Sequence, residues 1–244
     1  MASTRKGKLA HCSFMEYKND VKAFLAEAIG VFALTFVGVG AILNSNLTSG
    51  GQELLLVALA HGLTIAVMVS ATASISGGHL NPAVSFGAWL GGKLSFFGML
   101  KYWVAQLAGS ALAATLALVL YGNEALIHGT PKLDFDLEWA FLRGVTLEAI
   151  ATFFLVFVVF GTGIDPRGPK IGGLAIGFTV TIGILAIGPQ TGGALNPARM
   201  IGPWLVSGGL FGENGWIQAI AYWIGPLLGG GVAAWTYSRF LMQR

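Results

Sequence analysis

The sequence predicts an all-α membrane protein with six transmembrane helices and two re-entrant half-helices, arranged as an inverted repeat. Its 244 residues are 55% hydrophobic and only 10% charged, whereas a soluble domain has about a quarter charged residues. Six apolar runs are long enough to cross a bilayer, and the short phrase LNPA occurs twice. This composition excludes a single water-soluble core.

The six candidate spans lie near residues 22–44, 53–75, 97–121, 139–163, 171–188 and 216–241. A helix needs about 20 apolar residues to cross the hydrocarbon core, and these runs meet that length. Residues 1–20 are polar and basic, and we expect a cytoplasmic N-terminal tail there. The first apolar run has no small-residue cleavage site, so we expect it to be retained as a span. Residues 21–244 then form one membrane domain.

The chain repeats itself, with residues 21–121 as the first unit and 139–241 as the second. The segment LAEAIGVFALTFV, which contains Glu27, matches TLEAIATFFLVFV, which contains Glu148. KYWVAQLAGS likewise matches AYWIGPLLGG. Each unit has three spans, and an odd number of spans forces the second unit to enter the membrane upside down.

Positive charges predict the orientation of this arrangement. Most lysines and arginines fall on one side of the six spans, whereas Lys132 and Arg143 fall on the other side, next to acidic residues. Cytoplasmic loops are enriched in lysine and arginine. We therefore expect both termini to be cytoplasmic.

The repeated phrase reads SGGHLNPAVS in the first unit and TGGALNPARM in the second, and each copy continues for about a dozen apolar residues. Such a segment is too short to span, and irregular backbone cannot face lipid, so two half-helices are expected to meet inside the protein. Asparagine followed by proline predicts a helix start, with asparagine as N-cap. The motif residues are Asn81, Pro82, Ala83, Asn196, Pro197 and Ala198.

Two half-helices that enter from opposite faces point the positive ends of their dipoles at the membrane centre. This arrangement repels cations, protons included, and favours a neutral molecule bound by its oxygen. Each asparagine oxygen is expected to cap its helix and leave the NH2 free to donate into a cavity. We expect the approaches Ser76–His79 and Thr191–Ala194 to be extended, and Glu27 and Glu148 to hold them by hydrogen bonds to backbone N–H groups.

The motifs differ at one charged position, where Arg199 of the second repeat matches Val84 of the first. A cation near the membrane interior is costly and indicates function. Arg199 lies one helical turn beyond Asn196, towards the extracellular mouth. From the residues alone, His61 is either a pore residue or an interhelical hydrogen-bonding residue.

With its paired NPA motifs the chain resembles the aquaporin (major intrinsic protein) family, from about residue 20 to the C-terminus. The resemblance implies the aquaporin fold, one water pore per subunit and assembly as homotetramers. It also implies an aromatic/arginine selectivity filter formed by His61, Ile184, Gly193 and Arg199. This set is similar to that of plant tonoplast intrinsic proteins, particularly the subgroup that passes ammonia along with water.

Several consequences follow from that resemblance. Ile184 removes a hydrogen-bonding wall and Gly193 removes a side chain, so we expect a wider opening. His61 is expected to stay neutral near the filter arginine. Some ammonia-passing relatives fold a loop histidine over the filter; here that residue is His128, and a solvated loop histidine is the alternative. His79 is expected to line the pore on its cytoplasmic side.

The predicted function is passive permeation of water, ammonia and other small neutral solutes, with protons and ions excluded. A glycerol- or urea-conducting channel is the alternative; glycerol channels tend to carry an acidic and a basic residue where Met200 and Trp204 stand. A secondary transporter is the alternative from another class, because inverted repeats with half-helices also form alternating-access sites.

The expected partners are the lipid bilayer, small neutral solutes and further copies of the chain, with no nucleic acid. No metal cluster, nucleophile–base pair or phosphate loop occurs in the sequence, so neither a cofactor nor enzyme activity is expected. Asn46 begins a glycosylation sequon on the predicted non-cytoplasmic loop. Plasma and vacuolar-type membranes both fit the sequence.

Overall fold

The computed structural model describes residues 20–45, 53–136 and 138–242. The N-terminal tail and Asn46 lie outside these residues. Within them, every regular element is a helix. The α-helices are Asp20–Ser45 (α1), Glu53–Ser76 (α2), Pro82–Leu90 (α3), Phe96–Tyr121 (α4), Asn123–His128 (α5), Ala140–Val159 (α6), Gly172–Thr191 (α7), Pro197–Val206 (α8) and Gly215–Thr236 (α9).

Six of these helices are long and apolar enough to cross a membrane: α1, α2, α4, α6, α7 and α9. They confirm the six predicted spans, with similar boundaries. When the π-helical turns that end α6 and α9 are counted with these helices, the largest difference is at the end of α7. The sequence placed this end at residue 188, but the helix continues to Thr191 despite an internal proline, Pro189. The Thr191 hydroxyl bonds to Ile187 O and to Glu148, and these bonds hold the last turn in place.

The long helices pack as two similar groups, with α1 against α2 and α4, and α6 against α7 and α9. Helices α2 and α7 join the groups and cross at glycines: a Cβ atom on Gly62 would lie 2.6 Å from the carbonyl oxygen of Gly177. Small residues let membrane helices approach this closely. Large apolar side chains such as Val67, Leu112 and Val232 remain on the outer surface, which suits contact with lipid.

The half-helices α3 and α8 lie inside this bundle and contact each other. Helix α3 packs on α9 and α4, and α8 packs on α4 and α9. Each half-helix therefore rests on helices of both repeats, which fixes the positions of the two N-termini.

Helices α6 and α9 both end in a π-helical turn, Phe160–Ile164 and Tyr237–Leu241. A side-chain pair ties these two ends together: Arg167 Nε donates to Asp165 Oδ1 at 2.9 Å, and Arg167 Nη2 donates to Leu241 O at 2.8 Å. The hydrogen bonds from Arg167 hold the pKa of the Asp165 carboxyl well below its usual range. We call this pair, with the C-terminal turn that it holds, the C-terminal clasp.

Candidate functional site

Both half-helices begin at the predicted asparagines. Asn81 has extended backbone, and its Oδ1 accepts from Ala83 N at 2.9 Å. Asn196 likewise accepts from Ala198 N at 3.1 Å and from Arg199 N at 3.3 Å. The structure therefore shows both side chains as N-caps, followed by proline in the first turn, where its missing N–H costs nothing.

The two asparagines also bond across the repeats. Asn81 Nδ2 donates to Leu195 O, and Asn196 Nδ2 donates to Leu80 O, both at 2.8 Å. One of the two hydrogens of each NH2 group, which was expected to be free to donate into a cavity, is therefore used by the opposite repeat. The second hydrogen of each group remains as a donor.

The approaches to the half-helices were expected to be extended, but in the structure they are tight turns with left-handed backbone. Helices α2 and α7 run to Ser76 and Thr191, so the chain must reach each asparagine within four residues. Left-handed backbone makes this possible: Gly77 has a φ of 91° and Gly192 one of 72°. Glycine adopts such values without steric cost.

Leu80 and Leu195, which precede the two asparagines, both have a φ of 51°. An L-residue with a side chain is strained there, by about 1–3 kcal/mol. Both leucines are almost fully buried, and their carbonyl oxygens accept the crossed asparagine bonds. The same two leucines that have strained backbone therefore accept the hydrogen bonds that join the two repeats.

Glu27 holds the first approach from within α1. Its Oε1 accepts from Ser76 Oγ at 2.6 Å and from His79 N at 2.9 Å, and its Oε2 accepts from Leu80 N at 2.6 Å. Gln106 Nε2 donates to the same Oε2 at 2.8 Å. The carboxylate therefore satisfies two backbone N–H groups, as the sequence predicted.

Glu148 does the same in the second repeat from within α6. Its Oε1 accepts from Thr191 Oγ1 at 2.8 Å and from Ala194 N at 2.9 Å, and its Oε2 accepts from Leu195 N at 2.7 Å. Both glutamates are fully buried. A buried carboxylate must have such donors to be stable.

Paired tyrosines support the same turns. The hydroxyl of Tyr102 donates to Ser76 O at 2.6 Å, and that of Tyr222 donates to Thr191 O. The Tyr–Trp pairs were visible in the sequence as matched positions of the two repeats, but no role was predicted for the tyrosines. Their occurrence at the same place in both repeats was the signal available.

A narrow internal cavity runs past the half-helix N-termini, and we call it the central cavity. The volume open to the centre of a water molecule inside it is about 20 Å³, which is room for one or two waters. Its polar lining comes from His61, His79, Asn81, Asn196 and Arg199, and its apolar lining from Leu34, Ile65, Val69, Val84, Leu155, Val159, Ile176, Val180, Ile184, Ala194 and Leu195.

Arg199 is fixed by His61. Arg199 Nε and Nη2 lie 3.2 and 2.9 Å from His61 Nε2, and His61 Nδ1 lies 2.7 Å from Val57 O. A carbonyl can only accept, so Nδ1 carries the hydrogen, and Nε2 accepts from the guanidinium. This makes the ring neutral, as the sequence analysis expected. Arg199 Nη1 is buried, and no group of the described residues bonds to it.

Three of the four predicted filter residues therefore meet at the central cavity: His61, Ile184 and Arg199. Gly193 packs against one of them, because a Cβ atom there would lie 3.0 Å from Ile184 Cα. Its φ of 58° also favours glycine. Whether Gly193 widens the constriction stays a prediction.

His128 is not part of this constriction. It ends α5, is exposed, and its Nδ1 bonds to Glu124 O at 2.8 Å. It lines a wider cavity of about 740 Å³ with Lys132 and Asp134, which we call the mouth cavity. The alternative of a solvated loop histidine fits this position. The loop reaches the filter instead through Gly129 O, 3.5 Å from Arg199 Nη2.

His79, a residue of the first repeat, also lines the central cavity. Its Nδ1 lies 3.2 Å from Ser85 Oγ, and its ring packs edge-on against Tyr102 at 5.1 Å between centroids. The expected pore-lining position agrees with this geometry.

Comparison with known proteins places this site in context. The family model Major intrinsic protein matches residues 14–237. Probable aquaporin TIP2-1 of Oryza sativa subsp. japonica is 42% identical over 227 residues, which cover 89% of this chain and 87% of that protein. Aquaporin TIP2-1 of Arabidopsis thaliana is 40% identical over 231 residues, covering 91% and 88%.

A solved structure has the same fold. The X-ray structure of the aquaglyceroporin from Plasmodium falciparum superposes with a TM-score of 0.79 at 25% identity, covering 91% of this chain and 97% of that chain.

Proposed function

This chain belongs to the major intrinsic protein family, whose members are membrane channels for water, and we propose that it conducts ammonia and other small neutral solutes besides water while it excludes protons and ions. One observation carries the proposal. Asn81 and Asn196 each donate, at 2.8 Å, to a leucine carbonyl of the opposite repeat, and so two helix N-termini meet at one narrow cavity.

The exclusion of cations follows from the charges at this point. Each helix N-terminus carries about half a positive charge, and both half-helices start beside the central cavity. Each asparagine NH2 retains one hydrogen, so the two donors hold a water by its oxygen lone pairs. Its hydrogens then point to the two exits, and it cannot accept a proton from a neighbour. A chain of waters is interrupted there.

The filter accounts for the range of neutral solutes. Because His61 and the carbonyl oxygen of Gly129 occupy Arg199 Nε and Nη2, the guanidinium donor that the described residues leave for a solute is Nη1. Ile184 supplies an apolar wall. A solute can pass such a constriction if it has one lone pair to accept a hydrogen bond and a small cross-section. Water and ammonia both meet that demand, whereas an ammonium ion has no lone pair and is repelled by the guanidinium.

Glycerol remains the second candidate solute, since the aquaglyceroporin of Plasmodium falciparum shares this fold. Met200 is fully buried and packs with Trp204, away from the cavity lining. The acidic and basic residues that the sequence analysis associated with glycerol channels are therefore replaced by an apolar contact. This favours the water and ammonia channel.

The remaining assignments belong to the same proposal. Residues 21–244 form one channel domain of two repeats, both termini are cytoplasmic, and four copies assemble as a homotetramer. The relatives named TIP2 support a vacuolar-type membrane over the plasma membrane.

The test uses purified protein in liposomes. Stopped-flow light scattering measures water, urea and glycerol permeability, and an internal pH dye reports ammonia entry on an ammonium gradient. We expect fast water flux that does not saturate and an internal pH rise faster than in empty liposomes. An unchanged pH rate removes the ammonia claim, and saturation of the flux indicates a transporter.

A further inference from the structure

The two repeats differ in polarity beside the asparagines. At three matched positions the first repeat has polar side chains and the second has apolar ones: His79, Ser85 and Gln106 against Ala194, Met200 and Pro226. In the first repeat these three polar side chains are linked by hydrogen bonds through Ser85, and Gln106 also bonds to the buried Glu27. The asymmetry therefore marks one connected group.

Gln106 is fully buried in α4, and its amide has one possible orientation. Its Nε2 donates to Glu27 Oε2 at 2.8 Å and to Ser85 Oγ at 3.0 Å. The reversed amide would set its oxygen against the carboxylate oxygen. Gln106 Oε1 is buried and has no partner in the part of the chain that the structure describes, which is unfavourable. The two donated bonds thus determine how this amide is held.

Ser85 links the fixed amide of Gln106 to the ring of His79. A hydroxyl has one hydrogen and two lone pairs, and Gln106 occupies one lone pair. The hydrogen points to Asn81 O at 3.2 Å, the bond that a serine in a helix commonly makes to the carbonyl four residues earlier. With the Ser85 hydrogen on Asn81 O, the second lone pair faces His79 Nδ1 at 3.2 Å, and in this arrangement Nδ1 is the donor and carries a hydrogen.

We propose that Gln106 and Ser85 are positioning residues that keep the hydrogen of His79 on Nδ1, so that Nε2 offers a lone pair to the hydrogens of a neutral solute. His79 lines the central cavity, and among the described residues no protein group bonds to its Nε2. This inference rests on the proposed function and adds a solute-binding acceptor to the first-repeat half of the cavity.

An acceptor at this place suits the orientation that the asparagines impose. Asn81 and Asn196 donate to the solute, so its hydrogens point outward along the cavity. A lone pair on His79 Nε2 accepts such a hydrogen, whereas an Nε2–H group would oppose it. The second repeat has Ala194 at the matched position, so this acceptor acts on one side only.

The first experiment observes the ring directly. Protein labelled with ¹⁵N-histidine is reconstituted in bilayers, and solid-state NMR distinguishes Nδ1–H from Nε2–H rings by their nitrogen shifts. The variant H79N identifies the His79 signals. We expect the Nδ1–H form in the native protein and a mixture or the Nε2–H form in S85A and Q106L. An Nε2–H ring in the native protein, or an unchanged ring in S85A, overturns the proposal.

The second experiment measures transport with matched controls. S85A should lower water permeability per channel by about threefold to tenfold, the effect of losing one hydrogen bond, and S85T should restore it along with the Nδ1–H form. S110A is the control, because it removes the same hydroxyl from a buried serine bonded to Thr35. Equal losses in S110A and S85A would overturn the proposal.

These outcomes separate the inference from the proposed function. A native protein that conducts neither water nor ammonia defeats the channel proposal, and the positioning role falls with it. A conducting channel whose His79 has its hydrogen on Nε2 defeats the positioning role alone.

Discussion

Replacing Glu148 by glutamine should weaken the turn that carries the second half-helix. Glutamine keeps one acceptor oxygen, which can retain the bonds from Thr191 and Ala194. Its NH2 group then faces Leu195 N–H, which now lies 2.7 Å from the carboxylate oxygen that accepts it. Two donors would meet in a fully buried place, and the charge that strengthens all three bonds is lost.

The magnitude follows from these contacts. A buried donor without a partner costs about 1–3 kcal/mol, and bonds to a charged group are worth more than neutral ones. We expect E148Q to lower the free energy of unfolding by about 2–4 kcal/mol. For a chain of this size, 1 kcal/mol changes the midpoint by about 2–4 °C, so the loss is roughly 4–16 °C.

Thermal unfolding in detergent, followed by intrinsic fluorescence, measures this shift, and E124Q is the matched control because Glu124 is exposed. The Leu195 carbonyl accepts from Asn81, so water permeability of E148Q should fall as well. If E148Q unfolds at the temperature of E124Q and conducts as fast as the native protein, Glu148 does not hold this turn.

Three further predictions concern other parts of the molecule. H61A removes the acceptor that fixes the filter arginine and opens space beside it, so glycerol entry into proteoliposomes should rise severalfold, and an unchanged rate would contradict the filter assignment. G62A places a methyl group against α7 and should destabilise the protein by about 1–3 kcal/mol. At the control G40A a Cβ meets no atom of the described residues within 4 Å, so stability should change by no more than about 0.5 kcal/mol. Equal melting temperatures for the two variants would refute the packing argument. Arg167 depresses the pKa of Asp165, so the C-terminal clasp stabilises the protein above the unfolded-state pKa of about 4 and loses this effect as pH falls towards the lower folded-state pKa. The difference in melting temperature between native protein and D165N should therefore stay constant from pH 7 to 5 and shrink below pH 4. A difference that disappears by pH 5 would contradict this.

Much of the fold could be predicted because lipid imposes simple rules. A span must be long, apolar and helical, so the hydropathy of the chain located all six spans closely. Asn81 and Asn196 could be predicted as N-caps because capping depends on local chemistry. Glu27 and Glu148 could be linked to the approaches because a buried carboxylate needs donors and irregular backbone has N–H groups to offer.

The features that were missed depend on distant contacts. The crossed asparagine bonds require the left-handed Leu80 and Leu195, and leucine gives no local signal for that backbone. The position of His128 depends on how the short helix α5 packs, which no periodicity reports. The polar link through Gln106 was visible only as a difference between repeats, and its partners became clear once α1, α3 and α4 were seen together.

The central claim is that two positive helix ends, each bearing an asparagine donor, pass neutral molecules and stop protons at one point. The most direct measurement compares water flux and proton flux in the same proteoliposomes, with a pH gradient imposed and potassium with valinomycin present to cancel any membrane potential. The account predicts water flux far above that of empty liposomes and proton flux equal to theirs. Proton flux that rises with the amount of reconstituted protein would contradict it.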